Sequence, residues 1–394
     1  METSLNNFGS MRCVCLVYRK QSGGTMMNWK QAAMGTLGAI VLFSATACGG
    51  TTEPGGNIQN GKSGTDITVK DNTNTSVYQS FKLEKIDKLP NMRGVAWLSN
   101  DWILSDKENT AMKPVTVEGE KRYPHNLYMY DLTKGTDSPV KESEVSLGSP
   151  LVSPDSQYIF YREPEESTGK GFILNLNNGE VIPAGQDDGF VFEGAWLDKE
   201  HVVFPNMNGD IVSASVDGAT KVLVKTGNFN VMSVRVSGNV IYYITGTDGQ
   251  LNAYDTKTGE EKQVLKSVEW VIPSNDGSRL AIVKKTADTK RALVLTDLDG
   301  NEKATLARGT QIFGTNWSGD DSKIAYTINS ESDDEKGLFV SNTESAEQFQ
   351  ISADMDNASD PLSWSPEGNR ILLSQSVQEN ESYHFVTSVI TISQ

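Results

Sequence analysis

Beyond about residue 94 the chain alternates short apolar runs with turn residues, and one order of elements keeps returning. Each round opens on a short run that ends in a turn. The seven examples are Gly94 to Asn100, Pro150 to Asp155, Gly194 to Asp198, Val234 to Gly238, Val271 to Gly277, Asn316 to Asp320 and Ser363 to Gly368. A denser run of β-branched, aromatic and aliphatic residues follows at once, such as Tyr158-Ile159-Phe160-Tyr161, Val240-Ile241-Tyr242-Tyr243 or Ile371-Leu372-Leu373. Two such runs joined by turn residues predict a β-hairpin. A third run usually ends in Asp or Asn and then Gly, as in Leu251 to Asp255 with Gly259; the sixth copy, Leu338 to Asn342, lacks the Gly. A fourth run, such as Thr220 to Val224, completes the round. Helical periodicity is nearly absent.

Aligned on Trp97, Val152, Trp196, Val236, Pro273, Trp317 and Trp364, the rounds are spaced by 55, 44, 40, 37, 44 and 47 residues. Four short strands per round, at a period of about 40–50 residues, predict propeller blades. The expected fold is all-β, a seven-bladed β-propeller over residues 78–394. The seventh round supplies only three strands, and the orphan run Tyr78 to Leu83 is expected to supply the fourth. A sheet built from both ends of the chain removes an exposed edge. A six-bladed ring with a divergent first round and a pair of β-sandwiches are the competing architectures. The Trp series sits at one repeat position, which reads as packing between blades and not as an aromatic binding box.

The run Ser363-Trp364-Ser365-Pro366-Glu367-Gly368, with partial copies at Ser153-Pro154-Asp155 and Asn316 to Tyr326, resembles the WD40-like repeat of TolB-type propellers. Prolyl oligopeptidase-like and tricorn-type proteases carry similar propeller domains. The resemblance covers nearly all of residues 78–394. It implies the architecture, with binding or gating roles rather than one activity.

The N-terminal region reads as an address. Its one long apolar run, Ala32 to Ala47, is about 16 residues long, short of the about 20 that a spanning helix needs. Lys30 precedes it and small residues lead to Cys48, the layout of a secretory signal peptide. Ala45-Thr46-Ala47-Cys48 resembles a bacterial lipobox, which implies cleavage before Cys48 and lipidation of its thiol. Residues 26–47 are thus expected to be the signal peptide, and 1–25 a leader upstream of a native start at Met26 or Met27. Residues 48–77 hold the lipidated Cys and then a stretch dominated by Gly, Thr, Asn, Ser and Asp, expected to be a flexible tether. The expected location is the extracytoplasmic side of a Gram-positive cell membrane, with the lipid as the membrane contact. The lipobox-plus-propeller layout resembles YqgU-type lipoproteins of Firmicutes. No cysteine follows Cys48, so the mature chain is expected to hold no disulfide.

Charge narrows the function classes. With 35 Lys+Arg against 51 Asp+Glu, the net charge of −16 speaks against nucleic-acid binding. Residues 1–48 hold four of the basic groups and one acid, so the remainder carries 31 against 50. Three His and few Cys leave little material for a metal centre, and no metal or cofactor is expected. A Gly-x-Ser-x-Gly elbow is absent from the sequence. His125, His201 and His384 fall on unlike strand positions. They are the material for an enzymatic rival, a propeller lyase acting on polysaccharide.

Strands are lettered A to D from the axis outward. A–B and C–D turns then share one face, the turn face, and B–C and D–A segments share the other, the loop face. The A–B and C–D turns are short and alike. The B–C segments vary: Ser105 to Asn126, Arg162 to Gly171, Pro205 to Asp210, Lys284 to Ala292, Asn329 to Gly337 and Ser376 to Ser382. Variation confined to one face of a rigid scaffold marks the expected recognition face. The candidate binding residues there are Glu331, Asp333, Asp334, Glu335, Asp354, Asp356 and Asp360, an acidic arc suited to a cationic peptide, a polyamine or Ca²⁺. Blade 5 adds Lys284, Lys285, Lys290 and Arg291. Solubility alone is the competing reading of the acids. Asp297 to Glu302 resembles the start of a calcium loop, but its place at a C–D hairpin predicts an ordinary Asp-Gly turn. The expected function is a non-catalytic, monomeric binding module at the cell envelope, its partner an envelope protein or an extracellular ligand. A glycan or small-ligand sensor and the lyase are the alternatives.

Overall fold

The computed structural model describes residues 81–393 apart from 118–119, 166–167, 186–188, 191–193, 331–335 and 380–381. Cys48, the signal peptide and the tether lie outside the described residues.

Strand alternation decides which way each side chain packs. In the second strand of the second round, Ile159 and Tyr161 pack with Leu104 and Leu127 of the round before. Phe160, between them, packs with Val202 and Phe204 of the round after. Every round is thus apolar on both faces of its sheet, and sheets must stack side by side. The result is seven antiparallel sheets whose cores lie between neighbours, with one hydrophobic cluster per seam. The seventh cluster joins the seventh sheet to the first and completes a ring of seven blades.

Blade 1 comprises Arg93–Trp97, Trp102–Glu108, His125–Asp131 and Thr136–Lys141. Blade 2 comprises Gly148–Val152, Tyr158–Glu165, Thr168–Asn175 and Val181–Pro183, with Gly189–Phe190 added beside its third strand. Blade 3 runs from Ala195–Trp196 through His201–Pro205 and Ile211–Ser215 to Thr220–Val224. Blade 4 runs from Val231–Ser237 through Val240–Thr245 and Gln250–Asp255 to Glu261–Leu265. Blade 5 holds Val268–Pro273, Leu280–Ala287, Lys290–Thr296 and Glu302–Gly309. Blade 6 holds Gln311–Trp317, Lys323–Asn329, Gly337–Asn342 and Gln348–Ser352. Blade 7 takes Ser363–Trp364, Arg370–Glu379 and Ser382–Ser393, and its outer strand is Lys82–Pro90.

That outer strand lies a few residues later than Tyr78 to Leu83, where the apolar run pointed. It pairs with the last strand from Lys82 opposite Ser393 to Pro90 opposite Val386. Lys82 and Ser393 therefore sit together at the turn face.

Three B–C segments expected as loops are largely strand. The hairpins of blades 2, 5 and 7 continue to Glu165/Thr168, Ala287/Lys290 and Glu379/Ser382. Ladder hydrogen bonds are made by backbone, so pairing runs on where the apolar side chains stop. Blade 1 instead carries a small hairpin, Val115–Val117 with Glu120–Arg122, between its second and third strands.

The seams are stapled in a repeating way. The indole N–H of Trp97 donates to the carbonyl of Ser363, Trp196 to Leu151, Trp317 to Ile272 and Trp364 to Asn316, at 2.9–3.2 Å. Each acceptor is the residue just before the equivalent position of the preceding blade. The first residue of strand B in that blade, or the one beside it, covers the same indole: Arg370 over Trp97, Tyr158 against Trp196, Arg279 over Trp317 and Lys323 over Trp364.

Candidate functional site

The turn face is built from self-satisfied turns. Ser153, Ser274 and Ser318 each donate a hydroxyl to the Asp two residues on and accept the N–H five residues on. The Ser274 and Ser278 contacts hold the Asp276 carboxyl down at about 2. Asp297, the residue that resembled a calcium ligand, accepts from Asp299 N–H, Asn301 N–H and Asn301 Nδ2 and pairs with Lys303. Its oxygens close a hairpin, as expected of an Asp-Gly turn.

The loop face is different in kind. Among the described residues, the large hydrophobic side chains that stand exposed are Val115, Val145, Met207, Val222, Phe229, Met232, Val377 and Tyr383. Seven of these eight lie on B–C or D–A segments or on the strand ends next to them; only Val222, on an outer strand, does not. Phe229 is the most exposed, at 75%. The blade 3 turn that carries Met207 is pressed against the Phe229 loop: Thr226 Oγ1 donates to the Gly209 carbonyl at 2.9 Å. Gly209 has φ +77°, and a Cβ there would meet the Asn228 carbonyl oxygen at 1.9 Å. A side chain at 209 would separate the two segments, which explains the glycine. Met207 and Phe229 are thus brought to one corner of the face, and Met232 lies in the strand that follows the Phe229 loop.

The predicted acids are only partly described. Glu331, Asp333, Asp334 and Glu335 lie outside the described residues. Asp354 is exposed and Asp356 half-buried. Asp360 is engaged at the seam between blades 7 and 1, where Arg93 grips it with Nε at 2.8 Å and Nη2 at 2.5 Å. Of the basic residues of blade 5, Lys284 pairs with Glu302, Lys285 with Asp288, and Arg291 is bidentate to Glu269. These pairs neutralise three of the four basic residues within their own blade.

Arg93 leads to a polar network that sequence reasoning missed. Arg93 lies directly opposite Asp106 in the sheet, with Nη1 at 3.7 Å from Oδ2. Asp106 is 2% exposed, and Oδ2 makes no hydrogen bond. Its other oxygen receives His125 Nδ1 at 2.9 Å. Burial works against the charged form of His125, but the Asp106 hydrogen bond and the charges of Asp106 and Glu108 outweigh it and raise its pKa. The signal was available only as scattered letters: Arg93, Asp106, His125 and Asp360 come from four segments.

The other histidines stand apart. His201 contacts Asp198 in blade 3 and His384 faces Glu379 in blade 7. Among the described residues no group of three His, Cys, Asp or Glu is placed to hold a metal ion.

No protein-family model matches the chain. No curated protein matches it either. Solved structures do. An oligogalacturonate lyase in complex with manganese is 13% identical with a TM-score of 0.55, over 79% of this chain and 98% of that one. An oligogalacturonate lyase from Vibrio parahaemolyticus is 12% identical with a TM-score of 0.54, over 78% and 98%. The β-propeller domain of Myceliophteria thermophila Cps50 (Swd1) is 9% identical with a TM-score of 0.56, over 79% and 100%. Likeness at such identities is one of architecture, and it agrees with the seven sheets and seven seams: the chain is a WD40-like, seven-bladed β-propeller.

Proposed function

We propose that the chain is a lipid-anchored, extracytoplasmic propeller that binds a protein partner through its loop face and performs no chemistry of its own. The observation that carries this reading is the sorting of exposed apolar side chains, seven of eight on one face. Scattered single apolar residues need no explanation, but a face that collects them, opposite a face of polar turns, supports an interaction surface. Methionine and aromatic side chains suit such a surface, being adaptable and large.

The lyase reading draws on the names of two structural neighbours. In this chain the three histidines sit on blades 1, 3 and 7, each beside a carboxylate of its own blade. Nothing among the described residues gathers them at one reacting centre.

Photo-crosslinking and capture from native membranes test the binding reading. Wild type is compared with the Met207→Ser/Phe229→Ser double variant and with Val222→Ser on the outer edge. The expected outcome is one partner enriched by wild type and Val222→Ser and lost with the double variant. Equal enrichment by all three proteins overturns the reading.

A further inference from the structure

The seam between blades 7 and 1 differs from the rest. Its apolar core has four buried residues, Met92, Ile103, Leu372 and Val389. The neighbouring seam between blades 6 and 7 buries a cluster several times larger. Polar links make up the difference. Thr387 Oγ1 accepts the Gly94 N–H at 2.7 Å, and Ser374 Oγ donates to the Gly94 carbonyl at 2.7 Å. On the loop face the link is Asp360 of blade 7 with Arg93 of blade 1.

That link does not stand alone. Arg93 is shared between Asp360 and the buried Asp106, and Asp106 leans on His125. Counted over these four side chains, two carboxylates face one guanidinium and one imidazole. The set is neutral only when the imidazole carries its second proton. With His125 neutral, one negative charge is left over in a place where Asp106 has almost no access to water. Uncompensated charge in such a place is costly. The cation next to Asp106 on strand B, Lys107, is engaged with Asp137 and the Tyr128 ring, and the remaining group acting on His125 from that strand is Glu108, another acid. The blade 1–2 segment beside it brings Glu142, bonded to Asn109, Glu144, and the uncharged Ser146 hydroxyl. From blade 7, Phe385 lies under the Arg93 guanidinium and carries no charge.

We propose that Asp360, Arg93, Asp106 and His125 form a pH-responsive clamp across the seam between the last and first blades, tight while His125 is protonated and loosened when it loses that proton. The sign follows from linkage. A group whose pKa is raised by folding stabilises fully below its unfolded pKa, near 6.5 for His, and that contribution is lost as pH rises through the folded value. The seam therefore weakens as pH rises above about 6.5 and through the raised value of His125, and with it the segment that presents Asp354, Asp356 and Asp360 on the loop face.

Amide hydrogen exchange of the full chain at pH 6 and pH 8, corrected for intrinsic rates, reads the clamp directly. Peptides covering 92–97 and 359–364 are expected to open about threefold or more faster at pH 8 in wild type, while blade 4 peptides stay unchanged. His125→Gln keeps a hydrogen-bonding side chain but cannot titrate, and is expected to show the fast seam at both pH values. His201→Gln, on the exposed blade 3 histidine, is expected to behave as wild type. Equal pH response in wild type and His125→Gln overturns the proposal. So does a wild-type response spread evenly over all seams, a result that needs no variant to fold.

Discussion

One atom at each of four seams does work that no propensity scale assigns. The indole N–H of Trp317 reaches across to the Ile272 carbonyl, while Arg279 lies over the ring at 5.0 Å. Trp317→Phe keeps an aromatic ring but leaves that buried carbonyl without its donor, and is expected to lower stability by about 1 kcal/mol. Trp317→Ala also empties the seam and is expected to cost about 3–5 kcal/mol. Chemical denaturation with both variants checks the pair, and a Trp317→Phe protein as stable as wild type would show that only ring volume matters. The Trp positions were legible in the sequence as packing residues, because one side chain type recurs at one register. Their hydrogen bonds were not, since each acceptor is a backbone carbonyl of another blade. Asp360 shows the limit from the other side. In the sequence it is one more acid on an acidic arc, and only the fold brings Arg93 to it across 267 residues.

Elements behaved much as the pattern of the chain implied wherever apolar residues alternate. Strand ends at Trp97, Val152, Trp196, Trp317 and Trp364 fall where the rounds were aligned. What the pattern hid was strand without apolar content. Arg162 to Gly171 and Ser376 to Ser382 looked like loops because their side chains are polar, yet they are hairpin arms held by backbone pairing. The outer strand of blade 7, Lys-Leu-Glu-Lys-Ile-Asp-Lys-Leu-Pro over 82–90, is hidden for the same reason, being half charged. It covers the edge of Ser382–Ser393 along most of its length. A chain beginning at Met92 is expected to expose that edge, lose its cooperative melt and associate through it. Size-exclusion chromatography and thermal unfolding compare it with a chain beginning at Phe81, and identical behaviour of the two would show that the strand is dispensable.

At the scale of the molecule the ring has one face of closed turns and one on which exposed apolar side chains collect. The lipidation proposed at Cys48 belongs to this scale, because an anchor matters through what it holds in place. Cys48→Ser is expected to abolish globomycin-sensitive processing and to leave the propeller in the medium rather than with membranes; retention of the variant in the membrane fraction counts against the anchor. The pairing of Lys82 with Ser393 then acquires a meaning beyond the sheet it closes. Both ends of the propeller leave from the rim of the turn face, as the handle leaves the underside of a parasol. Held by either end, to a bilayer, a bead or a fused neighbour, the molecule offers its canopy of loops outward, so crowding at the point of attachment does not hide the face proposed to bind a partner.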